Sequence, residues 1–323
     1  MQAIVQLTSP AKTDSVKQSL VALGCWVEVF NHCQNEMPSL VVKLGANRPS
    51  LESIRQLDGV SAVLEPNSPC RLVERQAGVK AFDGGLPIIA GPCAVESPER
   101  LDDIASSLKS LGIGWLRGGA YKPRTSPYSF QGHGHDGLKW LGEVSRKYDL
   151  SVVTEVMSEL DVDAVAQVAT WLQVGARNMQ NFSLLKRVGS VGKPVLLKRG
   201  PAALIDEWLA AGEYLLAAGA SRVIFCERGV RGLPGPTRNT LDLATVVHMR
   251  ETLGQPVIVD PSHATGRRDL VVPMSKAALV SGADGIMIEV HPEPASALSD
   301  GAQALGLEAL DSLVRWVEKT DWT

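Results

Sequence analysis

Residues 86–117, LPIIAGPCAVESPERLDDIASSLKSLGIGWLR, begin with a short apolar run at 87–90 and end with another at 114–116. Between the two runs lies a stretch with helical spacing, 98–111. The order of strand, helix and strand predicts one β/α unit followed by the strand of the next.

The same alternation continues to the end of the chain. Short apolar runs occur at 87–90, 114–116, 151–154, 171–174, 195–197, 223–226, 257–259 and 285–288. Helical patterns follow them at 98–111, 137–148, 160–169, 181–188, 203–218, 240–251, 272–281 and 307–318. Eight β/α units predict a closed (β/α)8 barrel over residues 86–323. An open doubly wound sheet is the alternative, but no GxGxxG follows the first strand to support it.

The first 65 residues have a different pattern. Alternating apolar residues at 3–7, 25–30, 39–44 and 60–64 predict strands, and 14–23 and 49–57 predict helices. The resulting order, βαββαβ, is that of a ferredoxin-like domain, which in many proteins serves regulation or assembly. We therefore expect a small domain at 1–65, a linker at 66–85 and a catalytic barrel at 86–323.

Composition limits the classes of partner. With 45% hydrophobic and 21% charged residues and a net charge of -3, the chain is typical of a soluble globular protein and lacks the basic character of nucleic-acid binders. We find no signal peptide or membrane-spanning run, and the odd number of cysteines, five, favours reduced thiols. We expect a cytoplasmic protein that binds small molecules, with neither nucleic acid nor membrane as partner.

Reactive residues follow every predicted barrel strand. In chain order they are Cys93, Arg117, Glu155, Arg177, Lys198, Glu227, Arg228, Asp260, His263 and Glu289. Taken singly, a cysteine or a histidine is as well explained by packing. Because catalytic groups of a (β/α)8 barrel collect at the carboxyl ends of its strands, the set as a whole predicts one active site there.

Two chemical groups can be separated within this set. Cys93, His263, Glu289 and the slightly later Asp300 belong to strands one, seven and eight, which are neighbours in a closed barrel. A thiolate, an imidazole and two carboxylates suit a divalent transition ion such as manganese, iron, cobalt or zinc. The sequence leaves the identity of that metal open.

The second group is cationic and comprises Arg117, Lys122, Arg124, Arg177, Lys198 and Arg228. Three of these lie in the stretch 116–132, LRGGAYKPRTSPYSFQG, which glycine and proline mark as a stiffened, exposed loop. Clustered cations repel one another unless anions bind between them. We infer at least one phosphorylated, carboxylated substrate.

The barrel also resembles a known family. AGPCAVES (90–97), the loop 116–132, QVGARNMQNF (173–182), LLKRG (196–200), CERG (226–229), DPSHATGRRDLV (260–271), EVHPEP (289–294) and ALSDGAQ (297–303) are similar to segments of 3-deoxy-D-arabino-heptulosonate 7-phosphate (DAHP) synthases. The resemblance is to type I beta, which has a ferredoxin-like amino-terminal domain. It spans the barrel, whereas no side chain of residues 1–65 is diagnostic.

The resemblance implies a metal held by Cys93, His263, Glu289 and Asp300. It also implies phosphoenolpyruvate on Arg117, Lys122, Arg177, Lys198 and Arg228, and erythrose 4-phosphate on Lys122, Pro123, Arg124 and Thr125. In that chemistry, Lys122 would donate a proton to the new hydroxyl group, or act electrostatically. Glu155 and Asp260 would contact water or the residues around the metal, with Asp260 counted among the substrate-binding residues.

Three other functions stay open from the sequence. An 8-phosphate octulosonate synthase would use arabinose 5-phosphate, but it typically has a KANRS-like loop where this chain has KPRTS. A Schiff-base aldolase would use Lys198 as its nucleophile. A non-catalytic sensor would have lost part of the ligand set, which is intact here.

The amino-terminal domain is not needed for the chemistry. We therefore expect it to bind an aromatic end product, phenylalanine or tyrosine, or to mediate assembly, with a homotetramer as the state that the resemblance favours.

Overall fold

The computed structural model describes residues 2–30, 38–44, 49–64, 69–122, 126 and 128–320. The chain divides into two compact units, one of residues 1–79 and 248–255 and the other of 80–247 and 256–323. The domain limits predicted above, 1–65, 66–85 and 86–323, remain predictions.

The first unit has the βαββαβ order expected from its sequence. Its elements are β1 (Gln2–Leu7), α1 (Thr13–Ala22), β2 (Trp26–Phe30), β3 (Ser39–Lys43), α2 (Leu51–Arg55) and β4 (Val60–Leu64), with a 3-10 turn at Pro10–Lys12. The strands form an antiparallel sheet in the order β2-β3-β1-β4. This arrangement confirms the ferredoxin-like fold. A further short helix, α3 (Arg71–Arg75), lies in the stretch expected to be a linker.

Alternation along the strands explains the core of this unit. Val5, Leu40 and Val42 point to one face of the sheet and are fully buried with Val16 and Leu20 of α1. The opposite face carries the intervening residues of each strand, because successive side chains of a strand point to opposite sides.

The second unit is a closed barrel of eight parallel strands, which confirms the predicted (β/α)8 fold. Its strands are β5 (Ile88–Gly91), β6 (Trp115–Arg117), β7 (Ser151–Glu155), β8 (Trp171–Val174), β9 (Val195–Lys198), β10 (Val223–Glu227), β11 (Val257–Val259) and β12 (Gly285–Glu289). They pair in the order β10-β11-β12-β5-β6-β7-β8-β9, with β9 closing on β10.

Helices separate the strands. They are α4 (Pro98–Ser110), α5 (His135–Tyr148), α6 (Val162–Val168), α7 (Phe182–Gly189), α8 (Ile205–Ala217), α9 (Leu243–Val247), α10 (Pro261–Thr265), α11 (Arg268–Val280) and α12 (Leu307–Lys319). A π-helical stretch, His248–Thr252, continues α9, and 3-10 turns lie at Glu159–Asp161, Ala176–Asn178 and Pro294–Ser296. The described helices include none long and apolar enough to cross a membrane.

The strands extend further at their carboxyl ends than the apolar runs suggest. Arg117, Glu155, Lys198, Glu227 and Glu289 are each the last residue of a strand and not the first residue of a loop. Their backbones are held by the sheet, so these side chains start from a rigid frame.

The opposite end of the barrel is closed by aromatic rings. Trp115 and Trp171, the first residues of β6 and β8, have ring centroids 4.2 Å apart, and Phe82 packs on both. The interior is therefore solid at this end, and access to the barrel is from the carboxyl ends of the strands.

Candidate active site

The structure brings the predicted residues together at the carboxyl ends of the barrel strands. Cys93 follows β5, Arg177 lies in the turn after β8, Arg228 follows β10, Asp260 precedes α10, which contains His263, and Asp300 lies in the loop after β12. Arg117, Glu155, Lys198 and Glu289 end their strands. Pro123, Arg124 and Thr125 lie outside the described residues.

A glycine allows two of these strands to approach closely. Gly91, the last residue of β5, has φ +155°, and a Cβ there would overlap the backbone carbonyl oxygen of Arg117. Only glycine fits this approach, which places Cys93, two residues later, beside the end of β6.

Three potential metal ligands lie close together at the mouth of the barrel. The ligand atoms of Cys93, Glu289 and Asp300 are all within 4.8 Å of one another. The Cys93 thiol donates to Asp300 Oδ2 at 3.0 Å. Burial, together with the charge of Glu289, raises the pKa of the Cys93 thiol, so the thiol is protonated at neutral pH and has to lose that proton before it binds an ion.

The fourth predicted ligand, His263, reaches this group from α10. Its Nε2 is 3.3 Å from Glu289 Oε1, and its Nδ1 is 2.7 Å from Asp260 Oδ2. Burial lowers the pKa of His263, which favours the neutral ring. When Nδ1 carries the proton and donates to Asp260, the lone pair of Nε2 faces a carboxylate oxygen, and a cation between the two relieves that contact.

Asp260 fixes the orientation of this histidine and of a lysine. It caps α10 by accepting from the His263 backbone N–H at 2.9 Å, and its Oδ2 is 2.5 Å from Lys198 Nζ. Burial opposes ionisation of Asp260, yet the charge of Lys198 and the hydrogen bonds from His263 hold its pKa well below the ordinary value. A single carboxylate thus joins the ends of β9 and β11.

Arg117 joins the same cluster from β6. Its guanidinium donates to Glu289 Oε1 at 2.9 Å and to the carbonyl oxygen of Cys93 at 3.2 Å. Within the described part of the chain its buried Nε has no hydrogen-bond partner, which leaves one fixed donor for an anion. Burial opposes ionisation of Glu289, but the charges of Arg117 and Lys122 hold its pKa below the ordinary value.

Gln303 is a contact that the sequence reasoning missed. Its side chain is fully buried, and Nε2 donates to Glu289 Oε2 at 2.6 Å. Gln303 lies in the segment ALSDGAQ, three residues after Asp300. Its closeness in sequence to this candidate ligand was the only feature that could have identified it.

Lys122 lies between this cluster and the open part of the mouth. Its Nζ is 3.4 Å from the Cys93 carbonyl oxygen and 3.7 Å from Asp300 Oδ2, and its side chain is only 11% exposed. The prediction of an exposed loop cation is therefore wrong for Lys122. The Lys122 backbone N–H donates to the carbonyl oxygen of Gln131 at 2.8 Å, which fixes the backbone at Lys122. Burial lowers the pKa of Lys122. The neighbouring Cys93 and Glu289 raise it by more than burial lowers it, so the net shift is upward.

A cavity of about 820 Å³ opens above the cluster. Its described lining contains six cationic residues against the two carboxylates of Glu155 and Asp300; the cations are Lys122, Arg177, Lys198, Arg228, Arg231 and Arg238. Burial lowers the pKa of the Arg228 guanidinium, because removal from water disfavours the charged form. This cavity suits anionic ligands.

Arg231 and Arg238 were missed by the sequence reasoning. Both lie in the exposed loop after β10, well beyond the strand end that marked the other candidates. Arg238 is 3.8 Å from Asp300 Oδ1. Their sequence did not mark them as site residues, because a cation in a loop is most often a solvated surface residue.

Two acidic candidates have different surroundings. Glu155 faces the cavity, accepts from Gln173 Nε2 at 3.2 Å and occupies the space that a side chain at Gly175 would need. Glu227 instead accepts from Arg199 at 2.9 Å and from the Gly229 backbone N–H at 2.6 Å. Glu227 therefore supports the loop that carries Arg228 and does not line the cavity in the described residues.

Comparison with known proteins agrees with this geometry. The sequence profile of the DAHP synthetase I family matches residues 72–323. A phospho-2-dehydro-3-deoxyheptonate aldolase of Thermotoga maritima is 49% identical over 278 residues, covering 83% of this chain and 82% of that protein. A crystal structure of DAHP synthase from the same organism is 41% identical with a TM-score of 0.75, covering 98% of this chain and 96% of that one.

A second enzyme class is more distant. The 2-dehydro-3-deoxyphosphooctonate aldolase of Acidithiobacillus ferrooxidans is 32% identical over 262 residues, covering 74% of this chain and 92% of that protein. This chain is therefore more similar in sequence to the heptonate enzyme than to the octonate enzyme.

Proposed function

The chain belongs to the DAHP synthetase I family and is a DAHP synthase, and we propose that the cluster and cavity described above carry out its reaction. The enzyme condenses phosphoenolpyruvate with erythrose 4-phosphate and water to give DAHP and phosphate, the first step of the shikimate pathway to chorismate and the aromatic amino acids. The observation that carries the site assignment is a cation-lined cavity whose wall includes His263 and Asp300, which in turn contact the buried Glu289 and Cys93.

We propose that Cys93, His263, Glu289 and Asp300 hold a divalent ion, one of manganese, iron, cobalt and zinc. The mixed thiolate, imidazole and carboxylate set fits such an ion, and the lone pairs of His263 and Glu289 converge where it would lie. When bound, the ion supplies Lewis-acid polarisation of the sugar aldehyde.

Phosphoenolpyruvate would lie in the inner part of the cavity, on Lys122, Arg177, Lys198 and Arg228, and on Arg117, which lines a small pocket that shares Lys122 and Lys198 with the cavity. Asp260 would orient Lys198. The buried, unpartnered Nε of Arg117 and the fork geometry of the arginines suit its carboxylate and phosphate. Erythrose 4-phosphate would lie beside it on Lys122, Pro123, Arg124 and Thr125, the last three of which are outside the described residues.

The chain's own residues would then act on fixed substrates. The methylene carbon of phosphoenolpyruvate attacks the aldehyde carbon, and Lys122 donates its proton to the oxygen that becomes the new hydroxyl group. Water adds to the carbon that carries the phosphate, and the resulting hemiketal releases phosphate by cleavage of its C–O bond. Lys122 is suited to this role by its position, because it lines the cavity and its Nζ lies 3.7 Å from Asp300 Oδ2 of the cluster.

A phosphate-release assay tests the assignment. Purified protein is supplied with phosphoenolpyruvate and either erythrose 4-phosphate or arabinose 5-phosphate, before and after treatment with a chelator. We expect turnover with the four-carbon sugar, its loss with chelator and its return with added metal. Preference for arabinose 5-phosphate would instead identify an octulosonate synthase.

A Schiff-base mechanism through Lys198 is not favoured by its surroundings. Lys198 Nζ donates to the buried carboxylate of Asp260 at 2.5 Å, so the nitrogen that would act as nucleophile is already engaged in an ion pair. Borohydride treatment in the presence of both substrates should leave the mass of the protein unchanged.

Regulation and assembly are proposed for the ferredoxin-like unit. A chain with a complete site in its barrel has no chemical need for a second folded unit, which supports an effector role for phenylalanine or tyrosine, or homotetramer assembly. A cytoplasmic location is supported by the free, buried thiols of Cys25, Cys93 and Cys226. Initial rates with and without millimolar phenylalanine or tyrosine, and the mass of the assembly in solution, test these proposals.

A further inference from the structure

The loop that carries Asp300 has an unfavourable backbone conformation. Asp300 has φ +50°, in the left-handed region that non-glycine residues seldom adopt. The next residue, Gly301, passes so close to the Pro294 carbonyl oxygen that a Cβ there would overlap it. Such a conformation persists only where surrounding contacts hold it.

One arginine outside the cavity supplies three such contacts. Arg268, the first residue of α11, donates from its guanidinium to the carbonyl oxygens of Gly301 at 2.6 Å and Ala304 at 2.7 Å. Its backbone N–H donates to the carbonyl oxygen of Ala302 at 3.0 Å. The guanidinium thus binds the backbone on both sides of Ala302 and Gln303, immediately after Asp300.

The same segment is tied to the barrel on its other side. Leu305 donates its backbone N–H to the Glu289 carbonyl oxygen at 2.8 Å, and the Gln303 side chain donates to the Glu289 carboxylate. The position of Asp300 relative to Glu289 is therefore fixed from inside by Gln303 and Leu305, and from outside by Arg268.

We propose that Arg268 is a positioning residue for Asp300. It is exposed and is absent from the described lining of the cavity, so it acts on the site only through the backbone of residues 301–304. By holding that backbone it keeps Asp300 within reach of Cys93 and Glu289. The inference rests on the proposed metal site, in which Asp300 is a ligand.

The neighbouring arginine provides a matched control. Arg267 is also exposed, but its guanidinium pairs with Asp269 at 2.6 Å and makes a longer contact, 3.4 Å, to the Pro236 carbonyl oxygen. No contact of its side chain with residues 300–305 occurs among the described residues. The variants Arg268→Met and Arg267→Met therefore remove the same charge and the same donors one residue apart.

The test measures Co²⁺ binding to metal-free, full-length protein by absorption. The thiolate-to-cobalt band reports ligation by Cys93, and the visible bands report the geometry of the ion. We expect the Kd for Co²⁺ to rise about tenfold in Arg268→Met, which is the range for residues that orient metal ligands. Arg268→Lys, which keeps the charge but reaches fewer carbonyls, should show a smaller rise, and Arg267→Met none.

Amide hydrogen exchange in the metal-free protein gives an independent measurement. In Arg268→Met we expect faster exchange for the amides of residues 303–305, with exchange in β12 and α12 unchanged. A general loss of stability would instead speed exchange in all of these segments. Equal exchange and equal Co²⁺ affinity in the Arg268 and Arg267 variants would overturn the proposal.

A double-mutant cycle separates this inference from the proposed metal site. If Asp300→Ala leaves Co²⁺ affinity unchanged, Asp300 is not a ligand and the proposed function of the cluster fails. If Asp300→Ala weakens binding, adding Arg268→Met to it should have little further effect, because both changes act through one side chain. A further loss as large as that in the unchanged background would show that Arg268 acts elsewhere.

Discussion

The two units of the molecule differ in where they place charge. In the described part of residues 2–64, every residue of the buried core is apolar, and ion pairs such as Lys12 with Asp58 lie at the surface. In the barrel, Arg117, Lys198 and Glu289 are almost completely buried at the ends of strands. Burying charge without function is costly, so its concentration in one unit indicates which unit performs chemistry.

The largest expected effect tests this difference with one residue type in both units. Cys93→Ala removes a thiol from the proposed ligand set, and we expect activity to fall by more than about 100-fold, because the remaining ligands hold the ion poorly. Cys25, a buried thiol in the core of the first unit, is the matched control. Cys25→Ala should lower stability by about 1 kcal/mol and leave turnover unchanged.

Metal content and phosphate release, measured side by side, decide the outcome. If Cys93→Ala kept full turnover and a full complement of metal, the thiol would be a packing residue like Cys25, and the comparison between the units would fail at its central residue.

A somewhat smaller effect is expected from Lys122→Met. Loss of a proton donor typically reduces turnover by about 100-fold or more, and KM should change much less than kcat. The exposed pair of Lys147 with Asp102 provides the control, and Lys147→Met should change neither constant. Because Lys122 is buried against Cys93 and Asp300, its replacement is also expected to alter stability, unlike the replacement of an exposed cation.

Steady-state kinetics and thermal melting distinguish a catalytic from a structural lysine. Retained turnover together with a large drop in melting temperature would make Lys122 a structural residue of the loop.

The architecture of both units was accessible from sequence because it depends on periodicity. The apolar runs located all eight barrel strands, and the reactive residues next to them located the mouth. The apolar runs did not predict the carboxyl ends of the strands correctly, because Arg117 and Glu289 continue their strands by one residue. Local hydrophobicity does not register a charged strand residue that is satisfied by partners far away in the chain.

Contacts formed through the fold were inaccessible. Gln303 contacts Glu289, and Arg268 contacts Gly301, but no sequence pattern links the members of either pair. Both contacts follow only from the path of the loop after β12. Arg231 and Arg238 were missed for the same reason, since nothing in the sequence shows that an exposed loop returns over the mouth.

A moderate effect is expected at Arg228, which lines the cavity. Arg228→Lys keeps the positive charge but replaces a planar fork with a single point donor, and we expect KM for phosphoenolpyruvate to rise about tenfold with a smaller change in kcat. Arg187→Lys, on an exposed arginine paired with Asp163, should leave KM unchanged. An equal KM in both variants would mean that Arg228 does not contact the substrate.

The smallest effect on catalysis is expected from removing the first 65 residues. If the chemistry belongs to the barrel alone, basal turnover should stay within about twofold of the full-length value, because function resides in a site and not in the whole chain. Any inhibition by phenylalanine or tyrosine seen with the full-length enzyme should disappear. Persistence of that inhibition would assign the effector site to the barrel.

The exact position of the cut provides the last prediction. Gln255 is buried, and its side chain bonds to Gln76 Nε2 at 3.0 Å and to the Val73 carbonyl oxygen at 2.9 Å, while Gly78 donates to the Gly254 carbonyl oxygen at 2.7 Å. Deleting residues 1–65 keeps these bonds, and deleting 1–79 removes them. Leaving a buried amide without partners costs about 1–3 kcal/mol. We therefore expect the shorter chain to melt roughly 2–10 °C below the longer one, with similar basal turnover in both. Equal melting temperatures would show that residues 69–79 add no stability to the segment around Gln255.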